Sequence, residues 1–218
     1  MISCLNKTFF VEEDHTVTNI GLAQLIAQKL KLKCLGSALS KSEAKEKLKA
    51  LANGLNETGS RTSALPELLI LDLFLGEESG LDLLREVRTD YPEIKILVYS
   101  MYAKPGILSL VLEAGAHGFV EKSAPESVLI TAIKNILAGE TFVQQNLVAP
   151  LFTYKTMFDG LTKQEQIVFK KILERKSKTQ ISGELNISHR SVDNYFTHIF
   201  EKTGCKNVHE VIEKYGGG

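Results

Sequence analysis

Short apolar runs alternate with amphipathic stretches through the first two thirds of the chain. The apolar runs predict buried strands, and apolar residues at helical spacing between them predict helices. Strands that alternate with helices form a parallel sheet that is covered on both faces. We therefore predict an α/β domain with a flavodoxin-like, doubly wound, five-stranded parallel sheet over residues 1–143. The predicted strands lie at 8–11, 33–39, 68–71, 94–99 and 117–120.

The pattern changes after this domain. Residues 144–158 fit neither period and are interpreted as a linker, and residues 159–218 predict a small all-α domain. A short turn at 185–188 between two predicted helices indicates helix-turn-helix geometry. Side chains that can cap its helices occur in order at Thr162 with Glu165, Ser177 with Gln180, Ser188, and Asn207 with Glu210.

Charge is balanced over the whole chain but not along it. The 218 residues carry 26 Lys and Arg and 26 Asp and Glu, which excludes a globally basic coat for nucleic acid. Residues 151–218 hold 11 basic and 8 acidic side chains, a net +3, so the remainder carries −3. This asymmetry favours two domains with different partners.

The number of cysteines and the length of the apolar runs indicate the cell compartment in which the protein works. Cys4, Cys34 and Cys205 are odd in number and widely separated, which argues against a disulfide framework or a thiolate metal site. No apolar run approaches the roughly 20 residues of a membrane span, and no signal peptide is apparent. We expect a reduced, cytoplasmic protein with no membrane partner.

Chemistry-bearing residues follow the predicted strands. Glu13 and Asp14 follow the first strand, Asp72 the third and Lys122 the fifth, while Ser100 ends the fourth. In a doubly wound sheet these positions converge on one edge, where ligands bind. Three carboxylates that converge repel one another and require a hard cation, for which Mg²⁺ is suited.

Four motifs occur in order along this domain: Glu13-Asp14-His15, Asp72 with Gly80-Leu81, Val98-Tyr99-Ser100, and Ala114 through Lys122. Together they resemble the receiver domains of two-component response regulators, over nearly all of residues 8–145. Glu13 stands where the commoner residue is Asp. The polar segment 53–63 lengthens the chain between Asp14 and Asp72, and we interpret it as a loop insertion that the fold tolerates.

The resemblance implies a role for each matching residue. Asp72 would be the phosphoacceptor, Lys122 would pair with the phosphoryl group, and Ser100 would hydrogen-bond to it. Movement of Ser100 would let the aromatic ring of Phe119 turn inward as a switch. The implied Mg²⁺ ligands are Glu13, Asp14, Asp72 and the backbone carbonyl of Phe74.

A second ordered set of residues lies in the C-terminal helices: Leu161-Thr162 with Glu165, Ile181, Leu185-Asn186-Ile187-Ser188, Ser191-Val192, Ile199, Glu201-Lys202 and Gly204. With this spacing, residues 161–208 resemble the LuxR-type helix-turn-helix of the NarL/FixJ group of response regulators. The helix from about His189 to Thr203 would enter the DNA major groove, with Val192 and Ile199 facing the core. Outward-facing residues are candidates for bases, and nearby basic residues for phosphates. The candidates are Asp193, Asn194, Thr197 and His198 for bases or backbone, and Lys178, Arg190, Lys202 and Lys206 for phosphates.

These features predict a response regulator and not an enzyme. A partner histidine kinase would phosphorylate Asp72, and the active chain would bind double-stranded DNA as a homodimer. One alternative is a phosphorylation-independent transcription factor with a vestigial receiver pocket. A second, a small doubly wound phosphatase or flavoprotein, is disfavoured because the first strand lacks a following Gly-rich loop and no Cys-x₅-Arg occurs.

Overall fold

The computed structural model describes residues 7–54, 65–75 and 78–216. Within these residues one compact unit comprises the chain up to residue 101 together with 111–144, and the other comprises 102–110 together with 145–216. Cys4 and most of the 53–63 segment lie outside the described residues. No helix in the described part of the chain is long and apolar enough to span a membrane.

A parallel sheet forms the centre of the first unit. The strands are β1 (Thr8–Glu12), β2 (Lys33–Ala38), β3 (Leu68–Leu71), β4 (Phe74–Leu75), β5 (Glu78–Ser79), β6 (Lys95–Ser100), β7 (Gly118–Glu121) and β8 (Phe142–Val143). The strand order in the sheet is β2-β1-β3-β6-β7-β8, and every neighbouring pair is parallel. The two short strands β4 and β5 pair with each other in antiparallel fashion.

The predicted fold class is confirmed, with one difference in the strand count. The described sheet has six strands and not five. The additional strand, β8, is two residues long, which is too short for a period-2 pattern to be visible in the sequence. The β4–β5 pair was missed for the same reason.

Helices cover the sheet, and both of its faces are buried. This explains why β3 is apolar at all four positions, since a parallel strand has no solvent face. On one face, strand residues such as Val11 and Ile70 pack with Ile26 and Ile133, which lie on the first and fifth helices. The helices of the first unit are α1 (Thr16–Leu30), α2 (Lys41–Ala52), α3 (Gly80–Asp90) and α5 (Glu126–Leu137), and α4 (Pro105–Glu113) is divided between the two units.

Helices are the regular elements of residues 145–216. Thr162 and Ser177 each open a helix with a complete capping box, and Ser188 caps a third by accepting from the Ser191 backbone N–H. Helix boundaries here follow the sequence prediction because local capping chemistry sets them. The helices are α6 (Gln145–Asp159), α7 (Lys163–Leu173), α8 (Lys178–Leu185), α9 (His189–Thr203) and α10 (Val208–Tyr215).

The segment interpreted as a linker, 144–158, is helical for nearly its whole length because α6 occupies it. Tyr154 of α6 is buried, and its ring centroid lies 6.2 Å from Phe169 of α7 and 5.8 Å from Tyr215 of α10. A marginal helix of this length is stabilised by burying such rings. The segment therefore packs with the helices that follow it.

Candidate functional site

The carboxyl ends of neighbouring strands bring the predicted acidic residues to one edge of the sheet. Glu13 and Asp14 follow β1, and Asp72 follows β3. The Asp72 backbone N–H donates to the Glu12 carbonyl at 3.0 Å, which continues the β1–β3 pairing one residue beyond the strands. The two acidic segments are thereby held side by side.

Asn19 of α1 fixes the segment that carries Glu13. Its buried side-chain amide donates to the carbonyl oxygens of Glu13 at 3.0 Å and of Ala38, the last residue of β2, at 2.8 Å. The Ala38 carbonyl also accepts from the Glu13 backbone N–H at 3.1 Å, so the Asn19 amide reinforces an existing link between the ends of β1 and β2. Asn19 therefore positions the acidic edge without being part of it.

Asp72 and Lys122 are in direct contact. Asp72 is buried; its Oδ1 accepts from the Leu73 backbone N–H at 2.6 Å and its Oδ2 from the Lys122 ammonium at 2.7 Å. The same ammonium lies 2.5 Å from Glu13 Oε2. Burial alone would lower the pKa of Lys122, but hydrogen bonds with Asp72 and Glu13 outweigh it and raise the pKa above its ordinary value. Lys122 is thus a fixed cation between two buried carboxylates.

Ser100 lies beside this cluster with an unused hydroxyl. It is fully buried, and its Oγ has no hydrogen-bond partner among the described residues. Its carbonyl accepts from the Lys122 backbone N–H at 2.9 Å, which joins the ends of β6 and β7. Because an unsatisfied buried hydroxyl costs about 1–3 kcal/mol, this position suits an additional polar ligand.

Phe119, the predicted aromatic part of the switch, is fully buried. The switch role of Ser100 and Phe119 stays a prediction, since no second state is described.

Glu13, Asp14 and His15 form a group of possible metal ligands. Their ligand atoms all lie within 4.8 Å of one another, and Asp14 is partly exposed whereas Glu13 is buried. His15 Nδ1 is 2.7 Å from Asp14 Oδ1, and that hydrogen bond raises the pKa of His15. Asp72 does not belong to this group. Carboxylate oxygens are ligands that Mg²⁺ prefers, and Glu13, Asp14, Asp72 and the Phe74 carbonyl all stay predicted ligands.

Gly80 allows α3 to begin against the phosphoacceptor segment. Its N–H donates to the Leu73 carbonyl at 3.0 Å. A Cβ at this position would lie 2.2 Å from the Asp72 carbonyl oxygen and 2.6 Å from Leu73 Cα. The close backbone approach requires glycine, which gives a physical reason for the spacing of Asp72 and Gly80.

The outward face of α9 carries most of the residues predicted to contact DNA. Val192 and Ile199 are fully buried, as predicted, so the opposite side of the helix faces solvent. Lys178 of α8 is half-buried. The exposed candidates are Arg190, Asp193, Asn194, Thr197, His198, Lys202 and Lys206.

Two of the four basic candidates are bound within the protein. The Lys178 ammonium hydrogen-bonds to Asp193 Oδ2 across α8 and α9. Lys202 Nζ lies 2.6 Å from Oε2 of the buried Glu165, and His198 Nδ1 lies 3.6 Å from the other oxygen of that carboxylate. The same Glu165 completes the capping box by accepting from the Thr162 backbone N–H at 2.7 Å.

Sequence reasoning missed the roles of Asn19 and Glu165. Asn19 interrupts the apolar face of α1 at a buried position, which was the available signal. Glu165 was interpreted only as a capping residue, and nothing local indicated that Lys202 would reach it over 37 residues.

An acidic, lysine-containing pocket on a doubly wound sheet, followed by a helix-turn-helix, defines a regulator that joins an α/β signal-receiving unit to a DNA-binding unit. Residues 9–134 match the response regulator receiver domain, and residues 159–214 match the bacterial regulatory proteins of the luxR family. The chain belongs to the response regulators that carry this pair of domains. It is a DNA-binding transcription regulator.

Known regulators are similar to this chain over almost its whole length. The chain is 27% identical over 208 residues to the transcriptional activator protein ExaE of Pseudomonas putida, covering 92% of this chain and 91% of ExaE. It is 27% identical over 216 residues to the oxygen regulatory protein NreC of Staphylococcus aureus, covering 93% and 94%. RcsB from Salmonella enterica serovar Typhimurium, solved on a promoter with the phosphomimetic BeF3−, has the same fold, with a TM-score of 0.68, 20% identity, and coverage of 96% and 97%.

Proposed function

We propose that Asp72 accepts a phosphoryl group from a partner histidine kinase and that this controls DNA binding. One observation carries the proposal: the Lys122 ammonium lies between the buried carboxylates of Asp72 and Glu13, 2.7 and 2.5 Å away. When the Asp72 carboxylate becomes an acyl phosphate, a cation held there can pair with a phosphoryl oxygen. The Ser100 hydroxyl supports the same proposal, because it is buried without a hydrogen-bond partner among the described residues and can donate to a phosphoryl oxygen.

The residues act in sequence on the phosphoryl group. A carboxylate oxygen of Asp72 attacks phosphorus, and the bond from phosphorus to the donor breaks with its electron pair leaving on the donor. Lys122 exchanges the Asp72 carboxylate for a phosphoryl oxygen, and the Ser100 hydroxyl donates to another. Glu13, Asp14, Asp72 and the Phe74 carbonyl would hold Mg²⁺, which when bound neutralises the charge of the transferring group.

Phosphorylation would control how the helix-turn-helix meets its operator. The outward face of α9 would read the major groove, and Arg190 and Lys206 would contact phosphates. A net charge of +3 over residues 151–218 gives one chain modest electrostatic affinity. We propose that phosphorylation favours a homodimer on two half-sites, in the cytoplasm where the DNA is.

Phosphoryl transfer is tested by incubating the full chain with acetyl phosphate and Mg²⁺ and measuring intact mass. We expect incorporation of one phosphoryl group that Asp72→Asn abolishes. Asp90→Asn makes the same chemical change at the exposed end of α3 and should leave incorporation unchanged. Equal incorporation in Asp72→Asn would place the phosphoryl group elsewhere and contradict the proposal.

Control of DNA binding needs a second measurement. Binding to DNA selected from a random library should strengthen after phosphorylation, and Asp72→Asn should remove that increase. Equal binding with and without phosphorylation would identify the alternative, a transcription factor whose receiver pocket is vestigial.

A further inference from the structure

The recognition face of α9 carries an acidic residue near its beginning. Asp193 is the fifth residue of the helix, and its side chain is 56% exposed. The N-terminal part of such a helix is the part that reaches base edges in the major groove. An unpaired carboxylate there is repelled by the DNA phosphates. It therefore weakens binding unless a cation compensates its charge and its oxygens accept hydrogen bonds.

Lys178 supplies a positive charge that compensates the negative charge of Asp193. It is the first residue of α8, and its ammonium is bound to Asp193 Oδ2. The pair is neutral overall, which removes the repulsion. Asp193 Oδ1 has no hydrogen-bond partner among the described residues, so one acceptor stays available on an oriented carboxylate.

The bases differ in what they offer to such an acceptor. In the major groove only cytosine and adenine present an amino donor, at N4 and N6 respectively. Adenine also presents the acceptor N7 beside its amino group, and that lone pair repels a carboxylate. Cytosine has no acceptor next to N4 on that edge, so a carboxylate with one free oxygen favours cytosine.

We propose that Asp193 determines specificity by reading a cytosine in each half-site, and that Lys178 positions its carboxylate and does not bind a phosphate. The inference rests on the proposed entry of α9 into the major groove and deepens it. It changes the role expected for Lys178, and it narrows the contact expected for Asp193 to one base. The other outward residues, Asn194 and Thr197, are left to read neighbouring positions.

The test determines binding motifs from a random double-stranded DNA library, using the full chain incubated with acetyl phosphate and Mg²⁺. We expect Asp193→Ala to lose discrimination at one C·G pair per half-site by about 5- to 150-fold, with the other positions unchanged. Asp193→Asn should shift preference at that pair towards A·T, because an amide can pair bidentately with adenine. Asp193 lies on the surface, so both variants should fold.

Glu201→Gln is the matched control. It removes one negative charge from the exposed side of the same helix, farther from its beginning. We expect it to change affinity for all sequences together and to leave the motif unaltered.

Lys178→Met separates positioning from phosphate binding. A phosphate contact contributes about −0.9 to the slope of log K against log salt concentration. We expect Lys178→Met to weaken discrimination at the same C·G pair and to leave this slope unchanged. A slope reduced by about 0.9 with an intact motif would overturn the role given to Lys178.

The remaining outcomes separate this inference from the proposed function. A wild-type motif that Asp193→Ala leaves unchanged at every position overturns the cytosine reading alone. A wild-type chain that selects no motif overturns the proposed DNA readout as well.

Discussion

The lysine–carboxylate cluster of the receiver pocket and the lysine–carboxylate pair on the recognition helix differ in burial. In the receiver unit the side chains of Lys122, Glu13 and Asp72 are 10%, 2% and 5% exposed. In the helical unit the side chains of Lys178 and Asp193 are 37% and 56% exposed. Breaking a buried pair leaves an uncompensated charge in a medium of low dielectric, whereas water screens an exposed pair. The first contact therefore contributes strongly to the stability of its site, whereas the second contributes at most about 1 kcal/mol.

Glu165 and Lys202 are an intermediate case. The Glu165 side chain is 5% exposed, but Lys202 retains 40% of its side-chain exposure. The carboxylate is fixed by the capping box, and the lysine approaches it from solvent. Such a pair contributes modestly to the packing of α9 against α7. Because the Lys202 ammonium is already paired within the protein, a structural role for this lysine is favoured over a phosphate contact.

The largest effect should come from removing the cation of the buried cluster. We expect Lys122→Met to lower the free energy of unfolding by about 3 kcal/mol without Mg²⁺, because two buried carboxylates lose their partner. Added Mg²⁺ should recover more stability in the variant than in the wild type. Lys29→Met, which removes a half-exposed lysine paired with Glu126, is the control and should change stability by less than about 1 kcal/mol. A comparable loss in both variants, by urea unfolding, would remove the distinction between buried and exposed pairs.

Backbone packing should distinguish the two units almost as strongly. A Cβ on Gly80 would overlap the backbone of the phosphoacceptor segment, whereas a Cβ on Gly183 of α8 meets nothing within 4 Å. We expect Gly80→Ala to destabilise the chain by about 2–3 kcal/mol through overpacking and to slow phosphorylation. Gly183→Ala should stabilise it by about 0.5–1 kcal/mol through helix propensity. The same sign for both substitutions would show that the pocket backbone is as tolerant as the helix.

The smallest effect concerns Glu165 and depends on pH. Burial alone would raise its pKa, but the Lys202 and Thr162 hydrogen bonds outweigh burial and lower it. A carboxyl with a lowered folded pKa contributes stability above its unfolded pKa, about 4.3, and this is lost as pH falls through the folded pKa. Glu165→Gln should therefore cost about 1 kcal/mol at neutral pH, with the difference closing below about pH 4. An unchanged difference in acid would assign the effect to packing and not to charge; Glu213→Gln on α10 is the control.

The acidic edge was predictable from sequence because strand order alone places Asp72 beside Glu13. Three buried apolar runs end at or just before Glu13, Asp72 and Lys122, and parallel strands share their carboxyl edge. Helix starts in the second unit were predictable because Thr162, Ser177 and Ser188 act within three residues of themselves.

Features that depend on distant partners could not be predicted. Pro150 inside α6 is a helix breaker by local rules, but the helix buries Tyr154 against Phe169 and Tyr215, which come later in the chain. The partners of Lys178 and Lys202 are likewise set by how α9 lies against α8 and α7. Residue type indicated a positive charge at each position but not the acid that neutralises it.

The two-residue strand β8 determines how the receiver unit can be isolated. It pairs with β7, and beyond it the Gln144 side chain accepts from the Glu121 backbone N–H at 3.1 Å, extending the ladder by one bond. A fragment that ends at residue 137 would leave β7 as an open edge strand, which templates aggregation. A fragment that ends at residue 144 keeps that edge blunted and should stay monodisperse at concentrations where the shorter one precipitates.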